Sequence, residues 1–302
     1  ISCFFFYDIF MKRIVHIIKR IAPWLIALGI FVYLFRIYPP EQVWKSASYV
    51  KFLPFCLFSL IYFFFIFVVD SWVMAKVISK FSHHVSLREV MIGRGATYLI
   101  MVVNYPASQA AFAYYLKRRY EIPIFQALSI FLFIVVIDML WVTTLALIGS
   151  LVQDVTFAGV DLSQMVRGVA LVIFTGFFLW LAFWRRWYEK IFGGRFLRWG
   201  WIENLRKRKV FHLFEEAHAV DYLRVGLMRM PIHVTIIISM YLLILIFQSH
   251  IPFVSILGKI PIVFLIGTLP ITPGGLGTVN AAMVELLAPD MTSPLFDAGI
   301  LH

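Results

Sequence analysis

The 302 residues are 62% hydrophobic and only 14% charged, and the formal net charge is +11 at pH 7. A soluble domain carries roughly 45–50% apolar and about 25% charged residues, so this composition excludes a soluble fold and indicates a bilayer protein. The basic residues lie in short clusters between apolar runs, as the positive-inside rule predicts. Nucleic-acid binding would need a contiguous basic face on a soluble domain, and the sequence has none.

Five apolar runs are long enough to cross a bilayer, because a helix needs about 20 residues to span the hydrocarbon core. In chain order they are Ile21–Tyr38, Phe52–Val77, Ile122–Leu151, Met165–Trp184 and Met230–His250. The basic clusters between these runs place the N-terminus in the cytoplasm.

Two further apolar stretches, Glu89–Tyr120 and Val254–Leu287, are interrupted at residues 104–106 and 270–275. The charge distribution is satisfied if the first stretch enters the membrane from the cytoplasm and returns, and the second does so from outside. Opposed breaks of this kind are typical of inverted repeats with discontinuous helices, which mark the substrate site in transporters. The alternative is that Pro and Gly only kink ordinary spans.

The predicted fold is all-α: a polytopic bundle of transmembrane helices with two opposed re-entrant hairpins in an inverted-repeat architecture. Residues 1–302 are expected to form a single integral membrane domain. Residues 1–10 are expected to lie upstream of a natural start at Met11, and a C-terminal span is expected to be missing. The Trp-containing and basic segment Phe196–Val220 predicts an interfacial helix attracted to anionic headgroups.

The strongest local signal is the second break. Its prolines end one helix, and its glycines let the backbone turn tightly and approach a ligand. These glycines are Gly274, Gly275 and Gly277. A second helix is predicted from near Leu276 to about Leu287, and its free N–H groups would attract an anion such as a lipid phosphate. Close helix packing through small residues is the alternative interpretation.

Three ionisable residues, Asp70, Arg94 and Asp138, fall inside apolar segments. Such residues are functional candidates because a charge within a membrane is costly. Arg94 can bind a lipid phosphate through charge-assisted hydrogen bonds, while the two aspartates are expected either to pair with it or to contact the substrate. Further polar candidates for lining a site are Asn104, Gln109, Thr272, Asn280 and Glu285.

The Pro-Gly-Gly-Leu-Gly segment at 273–277, followed by Ala281-Ala282 and an apolar helix, resembles the signature of the lysylphosphatidylglycerol synthase transmembrane family. Residues 104–106 and 114–118, with Asp138 in the next span, match the first half of that family. The resemblance extends from about Met11 to the end of the chain. It implies a flippase-like protein, because the bifunctional synthases of the family are expected to use this domain to move aminoacylated lipid between leaflets.

The sequence departs from the family pattern at two places. Asn280 occupies a position where the family usually has an acidic residue. Residues 108–111, Ser-Gln-Ala-Ala, replace a Gly-acidic-x-x-Arg run. Both departures imply that a charge-driven coupling step is weakened or absent.

The predicted function is binding and translocation of a phosphate-bearing lipid, a phospholipid or polyprenyl lipid, in a bacterial inner membrane. The phosphate is expected between Arg94 and the amide groups of residues 274–277. The expected ligand is a membrane lipid, an enzyme of lipid biosynthesis is a possible partner, and no metal or organic cofactor is implied. One alternative is a non-catalytic lipid-binding or scaffold subunit. Another is a membrane-embedded lipid transferase, although no motif supplies the acid–base pair that it would need, so an enzyme is not expected.

Overall fold

The computed structural model describes residues 22, 24–41, 44, 48, 50–103, 105–157, 159–193, 212–268, 272 and 275–292. Within them the chain is helical apart from short turns and one β-hairpin. The helices are α1 (Trp24–Ile37), α2 (Phe52–Phe81), α3 (Leu87–Val103), α4 (Tyr105–Tyr120), α5 (Ile124–Val152), α6 (Leu162–Gly193), α7 (His212–Glu216), α8 (Ala219–Ile246), α9 (Phe253–Gly267) and α10 (Thr278–Leu287). Strands β1 (Thr156–Phe157) and β2 (Val160–Asp161) pair antiparallel between α5 and α6, and a 3₁₀ turn, Ala288–Asp290, follows α10.

Four described helices are long and apolar enough to cross a membrane: α2, α5, residues Leu162–Ala182 of α6, and α8. This result confirms the prediction of a multi-pass helical membrane protein. The first half of α2 exposes large apolar side chains such as Phe52, Leu53 and Phe64, as a surface in contact with lipid would.

Two predicted boundaries differ from the structure. The run Ile21–Tyr38 contains the shorter helix α1, and α8 begins at Ala219 rather than at Met230. The early start of α8 has a local cause, since the backbone N–H of His218 donates to the Asp221 carboxylate at 2.9 Å and caps the helix. The predicted interfacial helix, Phe196–Val220, lies mostly outside the described residues; α7 falls within it, and its last two residues belong to α8.

The bundle has two ends, which we name by their connections. The basic end holds the C-terminus of α2 and the N-termini of α3, α5 and α8, where Lys80 pairs with Asp221 and Gln126 Nε2 donates to the Phe81 carbonyl at 3.4 Å. The far end holds the C-termini of α5 and α8 and the N-termini of α6 and α9. There the backbones of His250 and Thr292 form a β-bridge, with N···O distances of 2.7 and 2.9 Å.

Helices α3 and α4 form an antiparallel hairpin that opens at the basic end. The Tyr115 hydroxyl donates to the Glu89 carbonyl at 3.2 Å, and nearer the tip the Ser108 hydroxyl donates to the Thr97 carbonyl at 2.9 Å. A Cβ on Gly93 would lie 2.5 Å from the Tyr115 ring, so only glycine allows the two helices to pack this closely.

Helices α9 and α10 form a second hairpin, which opens at the far end. Near its tip a Cβ on Gly267 would lie 2.8 Å from Val279 Cγ2, and at its open end the Lys259 ammonium is 2.7 Å from the Asp290 carboxylate. The two hairpins therefore open at opposite ends of the bundle. Their re-entrant placement in a bilayer and the inverted repeat stay predictions.

Packing between the second hairpin and the spans depends on α5. A Cβ on Gly149 would lie 2.6 Å from the Gly258 carbonyl oxygen, so the backbones of α5 and α9 approach closely at these glycines. In the other half of the bundle, fully buried Phe112 and Phe133 belong to a core cluster shared by α2, α4, α5 and α8. The first hairpin and the spans thus form one packed unit around the centre of α5.

Candidate functional site

Ionisable side chains from four helices meet in the middle of the bundle. They are Asp70 on α2, Arg94 on α3, Asp138 on α5, and Arg229 and His233 on α8. Asp138 lies about 21 Å from either end of α5, at a rise of about 1.5 Å per residue. All of these side chains are buried except that of Asp138, which is 26% exposed. We call these five residues the charge network.

Arg94 is held by acceptors on two neighbouring helices. Its Nε donates to Asp70 Oδ2 at 3.1 Å, its Nη2 donates to the same oxygen, and its Nη1 donates to Gln109 Oε1 at 3.2 Å. The Tyr98 hydroxyl donates to the same Asp70 oxygen at 3.2 Å, and the Phe112 ring centroid lies 5.6 Å from the guanidinium. All three nitrogens of Arg94 therefore have protein partners.

Arg229 joins the two aspartates. Its Nη1 donates to Asp70 Oδ1 at 2.6 Å, its Nε donates to Asp138 Oδ1 at 2.7 Å, and its Nη2 donates to the other Asp138 oxygen. His233 Nε2 lies 3.0 Å from Asp138 Oδ1 and completes a continuous chain of contacts from Arg94. Two guanidinium groups balance two carboxylates, which offsets the cost of removing these charges from water.

A cavity of about 470 Å³ meets the charge network at His233. Its walls come from α5, α8, α9 and the turn before α10, and they are mostly apolar. The polar side chains or backbone groups on its walls belong to His233, Thr268, Gly275 and Asn280. A cavity of this size with a few convergent polar groups is typical of a small-molecule or lipid site.

The turn before α10 has a backbone that requires glycine. Gly275 and Gly277 have φ angles of +73° and +84°, and a Cβ on Gly277 would lie 3.2 Å from Ile30 of α1. The Gly277 N–H donates to Asn280 Oδ1 at 3.3 Å, so the Asn280 side chain caps α10 while it lines the cavity. The Thr278 hydroxyl donates to the Gly275 carbonyl at 3.1 Å and fixes the turn from within.

The sequence profile of the lysylphosphatidylglycerol synthase TM region matches residues 20–294. The chain belongs to this family. Comparisons with curated proteins and with solved structures give no match. As a member of the lysylphosphatidylglycerol synthase TM family, the chain is a multi-pass membrane protein related to lipid handling.

The structure brings the residues predicted for this family member together in two groups. Arg94, Gln109 and Asp138 lie in or beside the charge network. Gly275 and Asn280 line the cavity. Two more predicted residues lie beside the cavity in the turn: Gly277, and Thr272, whose buried hydroxyl is 3.1 Å from that of Thr278. Asn104 and Gly274 lie outside the described residues.

No hydrogen bond or ion pair joins Arg94 to the described residues of the turn, 275–277. Arg94 contacts Asp70, Gln109 and Tyr98. Of the charge network, His233 is the residue that lines the cavity. The cavity meets the charge network at His233, to which Arg94 is linked through Asp70, Arg229 and Asp138.

Sequence reasoning missed Arg229 and His233. Arg229 directly precedes the predicted span at Met230, and its place inside a helix was not predicted because the helix start at Ala219 depends on the cap at His218. His233 lies inside the predicted span, where an ionisable residue is itself a signal of function. Lys259 on α9 carried the same signal and is buried beside Asp290.

One amide beside the network is unsatisfied. The Gln109 side chain is buried, its Oε1 accepts from Arg94, and its Nε2 has no hydrogen-bond partner in the described part of the chain. Buried donors without partners are rare, so this amide has capacity to donate to a polar group. Among the described residues no cluster of three His, Cys, Asp or Glu side chains is placed to hold a metal ion.

Proposed function

We propose that this protein binds a phosphate-bearing lipid and moves it between the two leaflets of a membrane. The observation that carries the proposal is the cavity of about 470 Å³, which meets the charge network at His233 near mid-bundle. The family supports lipid as the ligand class. Transport or binding, rather than catalysis, is proposed because arginines already occupy the two carboxylates of the network.

In this proposal the lipid headgroup enters the cavity and its acyl or prenyl chains stay in the bilayer. The phosphate accepts a hydrogen bond from His233, whose Nε2 contacts Asp138 and whose other ring nitrogen has no partner within the described residues. That hydrogen bond is charge-assisted because the phosphate is an anion. Asn280 and Thr268 supply further polar contacts on the cavity wall.

Movement in this proposal uses the two hairpins as re-entrant elements of an inverted repeat. They open at opposite ends of the bundle, and rocking of one repeat against the other would expose the cavity alternately to each leaflet. The depth of the first hairpin supports this interpretation. Arg94 contacts Asp70 in an antiparallel register that places Val103 level with Ile61, about 13 Å short of the far end of α2.

The basic end is proposed to face the cytoplasm of a bacterial inner membrane, with the N-terminus on the same side. Lys80, Arg88 and residues 117–119 lie at or near this end, and the positive-inside rule places such residues in the cytoplasm.

The test is lipid movement in proteoliposomes with phosphatidylglycerol labelled on one acyl chain and, in parallel, a labelled polyprenyl phosphate. His233→Gln should lower the protein-dependent rate by at least about tenfold for the lipid that is moved, because a charge-assisted hydrogen bond is lost. His250→Gln is the matched control, since His250 is exposed at the far end and uses its backbone to bond Thr292. Equal rates in wild type and His233→Gln would overturn the assignment of the cavity.

A second candidate function is lipid binding without movement, in a subunit that presents lipid to a separate enzyme. Asn280 favours it, because the neutral amide caps Gly277 where the family resemblance implies an acidic residue. Selective retention of one lipid in native mass spectrometry, together with no lipid movement in vesicles, would support this second candidate over the first.

A further inference from the structure

A groove lies between α2 and α8 toward the basic end, on the outside of the bundle. Its volume is about 440 Å³. The residues that line it are Trp72 on α2 and Val220, Leu223, Arg224, Leu227, Met228 and Pro231 on α8. Several of these apolar side chains are well exposed, Leu223 by 65% and Leu227 by 58%, so no described side chain covers the outer wall of the groove. Because α2 and α8 are both membrane-spanning candidates, the groove faces lipid.

The register of α2 and α8 places two cations at the same level beside this groove. Lys80 pairs with Asp221, and deeper in the bundle Arg229 Nη1 donates to Asp70 Oδ1 at 2.6 Å. The second pair lies about 15 Å further along α2 and about 12 Å further along α8, so the two helices run antiparallel with similar rises. In that register Lys76 is level with Arg224. Both residues lie about 8 Å from the basic-end termini of their helices, the depth of a phospholipid headgroup and glycerol region.

Neither cation is neutralised by a described residue of the protein. Lys76 and Arg224 are exposed, and no hydrogen bond or ion pair within the described ranges involves either of them. The neighbouring cations on the same two helices do have ion-pair partners. Lys80 pairs with Asp221, and Arg229 pairs with Asp70 in the charge network. Two positive charges at one level, without a partner among the described residues, favour binding of an anionic group at this level.

Trp72 and Lys76 are four residues apart on one face of α2, with Trp72 nearer to mid-bundle. On α8, Leu227 and Pro231 continue the apolar floor for about 10 Å beyond Arg224 in the same direction. The groove thus has a cationic end at headgroup depth and an apolar wall that runs toward the bilayer centre. A single phospholipid has the same arrangement, with a phosphate at the headgroup and acyl chains that extend toward the bilayer centre.

We infer that the groove is a binding site for one anionic phospholipid of the leaflet at the basic end. Its phosphate lies between Lys76 and Arg224, and one acyl chain lies along Trp72, Leu227 and Pro231. An anionic lipid is favoured over a zwitterionic one, because the ammonium of a zwitterionic headgroup offsets its own phosphate. The site is separate from the central cavity and does not depend on lipid translocation.

A lipid in this groove would lie next to two members of the charge network, Asp70 and Arg229. Asp70 precedes Trp72 by two residues on α2, and Arg229 lies between Leu227 and Pro231 on α8. A lipid that contacts both helices favours the arrangement in which Arg229 reaches Asp70. Binding to the native state alone raises its stability by mass action, so the lipid should act as a structural ligand.

The test is thermal unfolding of the purified full chain in detergent, titrated with phosphatidylglycerol or phosphatidylcholine. The double variant Lys76→Gln/Arg224→Gln should need roughly 30-fold more phosphatidylglycerol than wild type for the half-maximal rise in Tm. The control Arg88→Gln/Lys117→Gln removes two exposed cations from the basic end outside the groove, and it should respond as wild type does. Wild type should respond more weakly to phosphatidylcholine.

Two results would overturn the inference. Equal titrations for the two double variants would show only general attraction of anionic lipid to the basic end, and equal responses of wild type to the two lipids would show no phosphate site. Leu227→Asn tests the acyl contact independently, and it should weaken the response without a change of charge. A titration that shifts in His233→Gln but not in Lys76→Gln/Arg224→Gln would assign the response to the central cavity and overturn this inference, so its failure is distinguishable from failure of the translocation proposal.

Discussion

Replacement of Asp70 by Asn should be among the most destabilising single changes in this chain. Asp70 is buried and accepts hydrogen bonds from Arg94, Arg229 and Tyr98. The neutral amide leaves two guanidinium groups with only the Asp138 carboxylate to balance them. Because removal of one partner from a buried ion pair typically costs about 3–5 kcal/mol, we expect a loss of that order in the free energy of unfolding.

A double-mutant cycle separates the network from the general effect of a core substitution. Arg94→Gln alone leaves Asp70 with fewer donors, whereas Asp70→Asn/Arg94→Gln restores the balance of charge. The double variant should therefore lose less than the sum of the single losses, with a coupling of about 1–3 kcal/mol. The measurement is reversible denaturant unfolding in detergent, followed by tryptophan fluorescence.

The control for this cycle is Asp154→Asn at the far end. Asp154 is 82% exposed and lies 3.1 Å from Arg167, so the loss of this pair should cost less than about 1 kcal/mol. If Asp70→Asn and Asp154→Asn cost the same, or if the single losses at Asp70 and Arg94 simply add, the network is not an energetic unit and the reasoning fails.

Two further predictions concern the far end. Gly149→Ala should lower Tm in detergent, because the new Cβ would lie 2.6 Å from the Gly258 carbonyl oxygen. The control Gly176→Ala adds a Cβ in open space and should not lower Tm. Equal Tm values for the two variants would contradict the close approach of α5 and α9. Burial raises the pKa of Asp290, but the hydrogen bond and charge of Lys259 more than offset this and hold the pKa below its ordinary value. The pair therefore stabilises the fold above about pH 4 and loses its effect as the pH falls through the folded-state pKa. Hydrogen exchange in the turn after α10, corrected for intrinsic rates, should accelerate as the pH falls below about 4, and Asp290→Asn should remove this acid dependence.

The helix breaks were predictable from sequence because their causes are local. Proline and glycine end a helix wherever the rest of the chain lies, and α3 ends at Val103 and α4 begins at Tyr105, as the run at 104–106 indicates. The helix expected near Leu276 begins at Thr278 and ends at Leu287, as predicted. The opposite openings of the two hairpins agree with the charge distribution from which the topology was predicted.

The partners within the charge network were not predictable in the same way. Sequence identifies Asp70, Arg94 and Asp138 as costly in a membrane, but Asp70 and Arg229 are separated by 159 positions, and only tertiary packing brings them together. The burial of Arg229 was also not predictable from its sequence neighbours, because a cation at the edge of a predicted span usually lies outside the membrane. The missed helix start at Ala219 moved this residue from the loop into the bundle.

A buried ion network is weak evidence for stability, since apolar side chains of similar size often serve as well. The position of this network is more informative than its contribution to stability, because it connects the first hairpin to the cavity. The first hairpin contacts it through Arg94, and the cavity beside the second hairpin contacts it through His233. Under the proposed function, a shift of the first hairpin would change the contact of Arg94 with Asp70, and Arg229 would pass that change to Asp138 and then to His233. An apolar core would transmit no such exchange of hydrogen bonds, so retention of charges at mid-bundle favours translocation over binding alone.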